Sequence, residues 1–88
     1  MINVEKKSQH KFIVTVEEGG TRREYTVSLD DEYYRELTGG KITKQELIKN
    51  SFEFLLEREP KESILAKFNL RVISQYFPEF EERIKNSK

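Results

Sequence analysis

The longest periodic run of apolar residues lies in the middle of the chain, in residues 43–59, TKQELIKNSFEFLLERE. At about 100° per residue its apolar side chains occupy an arc of roughly 200°, which is typical of a helix covered on two sides. The arc contains Leu47, Ile48, Ser51, Phe52, Phe54, Leu55 and Leu56. Thr43 and Glu46 have the spacing of a capping box, and Pro60 ends the pattern. We therefore predict one central helix, covered by a sheet on one side and by other helices on the other.

Alternating apolar and polar residues near the start of the chain predict β-strands in residues 10–17 and 22–29. Gly19 and Gly20 lie between the two strands and supply the positive φ that a hairpin turn needs. In the second strand, the residues predicted to face the core are Tyr25, Val27 and Leu29. Residues 2–5 leave two alternatives open, a hairpin alone or a three-stranded meander.

Helical patterns fill the rest of the chain. Three acids, Asp30 to Glu32, begin a short helix that ends at Gly39. Pro60 is placed to begin another helix, with Ile64, Leu65 and Phe68 as its apolar stripe. Helical spacing then continues until Pro78 breaks or sharply kinks it.

Together these patterns predict an α+β fold in one small domain, residues 1–88. An N-terminal antiparallel β-hairpin or three-stranded meander, residues 1–29, is followed by three to five helices packed on one face, residues 30–88. A sheet of two or three strands cannot stand alone, so it depends on those helices.

Composition excludes several kinds of chemistry. The chain has 88 residues, with 16 basic and 16 acidic side chains, so no net charge steers it to nucleic acid or to a membrane. It has no cysteine, which excludes disulfides, thiolate metal sites and a cysteine nucleophile. It has one histidine, His10, and no apolar run that could span a bilayer. We expect a cytoplasmic protein with no cofactor, no metal and no enzymatic activity.

Residues 64–77, ILAKFNLRVISQYF, have the rhythm of a helix-turn-helix with its turn at Asn69. The second helix would present Arg71 and Gln75, and only Arg71 of these carries a positive charge. DNA-reading helices usually bring several cations to the phosphates. Two helices that pack on the core are therefore the favoured interpretation of the segment, with nucleic-acid binding as the alternative.

Tyrosines are the side chains best suited to an interaction surface, since a tyrosine can bury its ring and leave its hydroxyl in water. The candidates are Tyr33, Tyr34 and Tyr76, together with Arg71 and Gln75. The leading hypothesis is a non-enzymatic protein-interaction or regulatory module that binds a protein partner or a second copy of itself. The alternative hypothesis is a nucleic-acid-binding protein that uses residues 64–77.

Residues 51–65, SFEFLLEREPKESIL, and residues 76–80, YFPEF, resemble a group of short bacterial proteins of unknown function. The resemblance covers roughly the C-terminal half of the chain. It implies a bacterial or archaeal cytosolic protein and assigns no functional residues.

Overall fold

Four strands form one sheet in the computed structural model, which describes residues 1–86 of the chain. They lie across the sheet in chain order: β1 (Ile2–Lys6), β2 (Lys11–Glu18), β3 (Thr21–Ser28) and β4 (Lys67–Asn69). The first three strands pair antiparallel as a meander, whereas β4 is parallel to β3. The predicted α+β fold is confirmed, and the N-terminal part is the three-stranded meander.

The alternation of side chains gives the sheet one covered face and one open face. Phe12 lies opposite Val27 and Val14 lies opposite Tyr25, and all four side chains are buried. Because neighbouring residues in a strand point to opposite faces, polar residues such as Glu24 face away from the core. The hairpin between β2 and β3 turns through two glycines, whose φ angles are 58° and 80°.

The helices cover the inner face of the sheet. Within residues 1–86 they are α1 (Asp31–Thr38), α2 (Lys44–Arg58), α3 (Val72–Tyr76) and α4 (Phe80–Asn86). α2 packs against β1, and α4 packs against both α1 and α2. The chain leaves helical geometry at Phe77, with φ −131° and ψ 88°, so the predicted break at Pro78 is confirmed.

α2 is the centre of the core. Its capping box is present as predicted: Glu46 N–H donates to the Thr43 hydroxyl at 3.0 Å, and Thr43 N–H donates to the Glu46 carboxylate at 2.8 Å. Ser51 is fully buried, and its hydroxyl donates to the Leu47 carbonyl at 2.8 Å. Within a single chain every residue of the wide apolar arc is buried except Leu56, which is half-buried.

Two aromatic residues of α2 connect the layers. The Phe52 ring lies 5.2 Å from the Tyr25 ring of β3 and 6.0 Å from the Phe68 ring of β4. The Phe54 ring lies 5.9 Å from the Phe77 ring and 5.2 Å from the Phe80 ring of α4. Phe52 therefore joins the helix to the sheet, and Phe54 joins it to the C-terminal helices.

The prediction of a helix after Pro60 is wrong. A single 3-10 turn, Lys61–Ser63, is followed by extended chain that becomes β4. β3 needs a partner on its second side: Thr26 N–H donates to the Ala66 carbonyl at 2.8 Å, and Leu70 N–H donates to the Ser28 carbonyl at 2.9 Å. The sheet thus receives a strand from the part of the chain predicted to be helical, because these bonds satisfy backbone groups that β3 would otherwise leave open.

Phe52→Ala should lower the free energy of unfolding by about 3–5 kcal/mol, since it empties a fully buried site between α2 and the sheet. Urea unfolding followed by far-UV circular dichroism measures the change. Glu24→Ala, on the exposed face of β3, is the control and should change stability by less than about 0.5 kcal/mol. A comparable loss in the two variants would contradict the central place given to α2.

Candidate functional site

The five residues predicted for an interaction surface do not form one surface. The Tyr33 side chain is 2% exposed, and its hydroxyl donates to the Glu81 carboxylate at 3.0 Å. Burial raises the pKa of Tyr33 to about 12, so its hydroxyl stays protonated at neutral pH. Tyr34 is half-buried, and its hydroxyl donates to the Ile42 carbonyl. These two tyrosines hold α1 to its neighbours, and Tyr33 in particular does not lie at the surface as predicted.

Arg71 is held by an ion pair at the start of α1. Its guanidinium donates to both carboxylate oxygens of Asp30, at 3.1 and 3.3 Å, and lies 4.5 Å above the Tyr33 ring. Asp30 is also the N-cap of α1, where it accepts a hydrogen bond from Tyr33 N–H at 2.7 Å. The Arg71 hydrogen bonds and the Tyr33 N–H together lower the pKa of Asp30. Arg71 therefore positions β4 and α3 against α1.

A second group of charges lies beside the first. Lys44 of α2 hydrogen-bonds Asp31, and His10 Nε2 lies 3.5 Å from the same carboxylate. The Lys44 hydrogen bond lowers the pKa of Asp31, so this carboxylate is ionised at neutral pH and is a poor proton donor. Within residues 1–86, no three His, Asp or Glu side chains converge into a group that could hold a metal ion. These charges join the ends of β2, α1 and α2.

Residues 64–77 do not form a helix-turn-helix. The first of the two required helices is absent, because Lys67–Asn69 is a strand. The second, α3, has five residues, and Arg71 before it is engaged by Asp30. The structure therefore corrects the predicted motif in residues 64–77, while the alternative function drawn from it, nucleic-acid binding, stays a prediction.

An apolar groove of about 460 Å³ opens between the end of α2, the chain before β4, and α3. Its lining is mainly aliphatic and aromatic and consists of Leu55, Glu59, Ser63, Ile64, Leu65, Phe68, Val72, Ile73, Tyr76 and Phe77. Leu65 is 51% exposed and Tyr76 is 68% exposed, which makes them two of the three exposed large hydrophobic residues in the described part of the chain. Of the five predicted surface residues, Tyr76 alone lines this groove.

The prediction of an interaction surface missed the other groove residues, because their spacing assigned them to helical stripes that face the core. Ile64, Leu65 and Phe68 have spacing that fits one side of a helix. In the structure this segment is extended, so Ile64 is buried while its neighbour Leu65 points outward. The signal that could have found the groove was Leu65 itself, a large apolar residue next to Ile64 and five positions after Pro60.

The outer edge of β4 borders this groove. In a parallel ladder, alternate residues of a strand turn their backbone groups toward the neighbour. Ala66 and Leu70 bond to β3, so Phe68 shares that side, and the N–H and C=O groups of Lys67 and Asn69 point away from β3. β4 is the last strand of the sheet, and no strand in residues 1–86 pairs with this edge.

A second groove, of about 470 Å³, lies at the opposite edge of the sheet, beside β1. We name it the acidic groove, because three of its lining residues are glutamates. It is lined by Met1, Ile2, Glu18, Lys49, Glu53, Leu56 and Glu57. The two sheet edges thus differ in character: the one at β4 is apolar, and the one at β1 is charged.

The fold and these surfaces define a small α+β domain with an apolar groove beside an open sheet edge. No protein-family model, curated protein or solved structure matches the chain. Across residues 1–86, no helix is long and apolar enough to cross a bilayer.

Asp30→Ser should separate the two roles of Asp30, because serine still caps a helix but cannot pair with Arg71. The pKa of Asp30 lies below its ordinary value of 3.8 in the folded chain, so its ion pair stabilises the fold above that pH and is lost as the pH falls further. We expect wild type to be more stable than Asp30→Ser at neutral pH, and the difference to shrink toward about pH 3.

Urea unfolding at both pH values measures that difference. Asp30→Ala provides the comparison, since it also removes the cap and should cost about 1 kcal/mol more than Asp30→Ser. A stability difference between wild type and Asp30→Ser that does not change with pH would contradict the role given to the Arg71 pair.

Proposed function

We propose that the protein is a non-enzymatic protein-interaction module whose apolar groove binds an extended apolar segment of a partner protein. The observation that carries the proposal is the combination of an apolar groove with an open sheet edge along one side of it. Each feature alone is common, but together they match two properties of an extended chain: its side chains and its backbone.

Exposure of the groove wall supports an apolar ligand. Leu65 and Tyr76 expose more than half of their side-chain surfaces although they adjoin the buried residues Ile64 and Ile73. Large apolar side chains that gather around one concave surface mark interaction sites more often than scattered ones do. A volume of about 460 Å³ also falls within the range of roughly 300–1,000 Å³ that ligand clefts occupy.

The edge of β4 supports an extended ligand. Peptides that add a strand to a sheet gain affinity from backbone hydrogen bonds and specificity from pockets for alternate side chains. The outward backbone groups of Lys67 and Asn69 offer those bonds. The Phe68 side chain lies on the inner face and lines the groove, so alternate side chains of an added strand would enter the groove.

The polar groups of the groove support binding rather than catalysis. Among its lining residues, Glu59 is the single carboxylate, and the remaining polar side chains are the hydroxyls of Ser63 and Tyr76. Acid–base chemistry needs a positioned donor and acceptor whose pKa values are tuned to their tasks. In the described residues, the charged pairs with lowered carboxylate pKa values, such as Arg71–Asp30, lie outside the lining of the groove.

Three broader expectations from the sequence accompany this proposal. A regulatory role, a cytoplasmic location and a bacterial or archaeal source stay predictions. The proposal does not depend on any of them, because it concerns one surface and the kind of segment that this surface fits.

The proposal can be tested with peptides selected from a random library displayed on phage, because no partner needs to be known in advance. Selected peptides should carry apolar residues at alternate positions. Added to the isotope-labelled protein, they should shift the amide resonances of Lys67 and Asn69 together with the side-chain resonances of Leu65.

Leu65→Asp and Tyr76→Asp should each weaken binding of a selected peptide by about tenfold or more, since each puts a charge into an apolar contact. Gln75→Asp is the matched control, because Gln75 is exposed next to Tyr76 but does not line the groove. The affinity of the Gln75→Asp variant for the peptide should change by less than about threefold. Peptides that shift resonances elsewhere, or that bind Leu65→Asp as tightly as wild type, would overturn the proposal.

A further inference from the structure

The second open edge of the sheet carries an inference that is independent of the apolar groove. We propose that two copies of the chain form a symmetric dimer in which β1 of one copy pairs antiparallel with β1 of the other. The two sheets then become continuous across a two-fold axis at Val4. The proposal rests on the free backbone groups of β1 and on the distribution of charge along it.

The outer edge of β1 has unpaired backbone groups. Met1 and Glu17 exchange two hydrogen bonds: Glu17 N–H donates to the Met1 carbonyl at 2.9 Å, and Met1 N donates to the Glu17 carbonyl at 2.8 Å. Such pairs alternate along an antiparallel ladder, so the next residues bonded to β2 are Asn3 and Glu5. The backbone groups of Ile2, Val4 and Lys6 therefore point away from the sheet, and no strand in residues 1–86 pairs with them.

The geometry of this edge favours a two-fold axis at Val4. Val4 is the middle residue of β1, so an antiparallel copy centred there aligns the whole strand. Its outward N–H and C=O groups would form a bonded pair with those of Val4 in the second copy. Isologous contacts of this kind close on themselves and give a dimer rather than a filament.

Lysines without an ion pair lie at the end of β1, and glutamates without one lie beside its start. Lys6, at the end of the strand, and Lys7 after it form no ion pair within residues 1–86. At the start of the strand lies the acidic groove, in which Glu53 and Glu18 form no ion pair within residues 1–86, beside the cations Lys49 and the Met1 ammonium group. An antiparallel second copy therefore brings its Lys6 to the side of Glu18 and Glu53, while Lys49 and the Met1 ammonium group are the cations that oppose its approach.

The faces of the strand also agree with this pairing. Lys6 lies opposite the buried Phe12 and Ile2 lies opposite the buried Val16, so both side chains are on the face that α2 covers. An antiparallel copy centred on Val4 puts its Lys6 opposite Ile2, on the side of the sheet where Glu53 lies. The lysine stem can then cover Ile2 and Leu56 while its ammonium group reaches the glutamates.

Lysine on an edge strand has an opposing interpretation, because charged edge residues often prevent strand pairing. The two interpretations give opposite results for a change of Lys6. If Lys6 blocks pairing, its removal strengthens association; if Lys6 pairs with the acidic groove, reversal of its charge weakens association. The test is built on this contrast.

The experiment is sedimentation velocity of the full chain over a concentration series from about 1 to 500 μM, at low and at moderate salt. Wild type should show a concentration-dependent dimer whose dissociation constant rises with salt. Lys6→Glu should raise that constant by about tenfold or more, and the double variant Lys6→Glu/Glu53→Lys should restore it to within about threefold of wild type.

Val4→Pro provides a second, uncharged test. The Val4 N–H points away from β2, so proline there removes a donor to the second copy and no donor to the sheet. The variant should keep the far-UV circular dichroism spectrum of wild type and sediment as a monomer. Should it fail to fold, the charge-reversal pair still decides the question.

Leu65→Asp, at the opposite edge of the sheet, separates this proposal from the peptide-binding one. It should weaken peptide binding by about tenfold or more and leave the dimer dissociation constant unchanged. A wild-type monomer at all concentrations, a dimer unaffected or strengthened by Lys6→Glu, or a dimer lost in Leu65→Asp would overturn the β1 pairing. The first of these results would leave the peptide-binding proposal intact.

Discussion

The burial of α2 from two sides is the constraint on which the rest of the structure depends. Phe52 and Phe54 are two positions apart and therefore point in very different directions around the helix. The Phe52 ring is buried against the sheet, and the Phe54 ring is buried against the C-terminal helices. In a domain of 88 residues the core is small, so leaving either side bare would cost a large share of a stability that is itself only about 5–15 kcal/mol.

The apolar groove results from the way in which the chain covers both sides of α2. After α2 the chain must return to the sheet, because β3 has backbone groups open on its second side. It does so in the extended segment that becomes β4, and then turns into α3. A short strand fills less space than a helix over the same residues, so the end of α2 and α3 are separated by a groove rather than packed together. Pairing of the sheet thus comes at the cost of an uncovered apolar surface.

Local signals predicted most of this fold, and non-local ones explain the failures. Alternation, the glycine pair, the capping box and Pro78 each act over a few residues, so their effects can be read from the chain itself. The spacing of Ile64, Leu65 and Phe68 fits a helix equally well. The segment is a strand only because it pairs with β3, which is distant in the sequence. Similarly, the sequence could not show that Tyr33 lies under Arg71 while Tyr76 lies free, because that difference depends on tertiary packing.

At both open edges of the sheet, the side chains rather than the backbone groups indicate which partner the strand would bind. Unpaired backbone groups are the same on any edge, so they indicate an extended partner without indicating which one. At β4 the neighbouring side chains are apolar and carry no charge pattern that a copy of β4 would match. At β1 the end of the strand carries Lys6, and the groove beside its start contains Glu18 and Glu53, which a reversed second copy would bring together. The same backbone chemistry therefore selects a foreign segment at one edge and a second copy at the other.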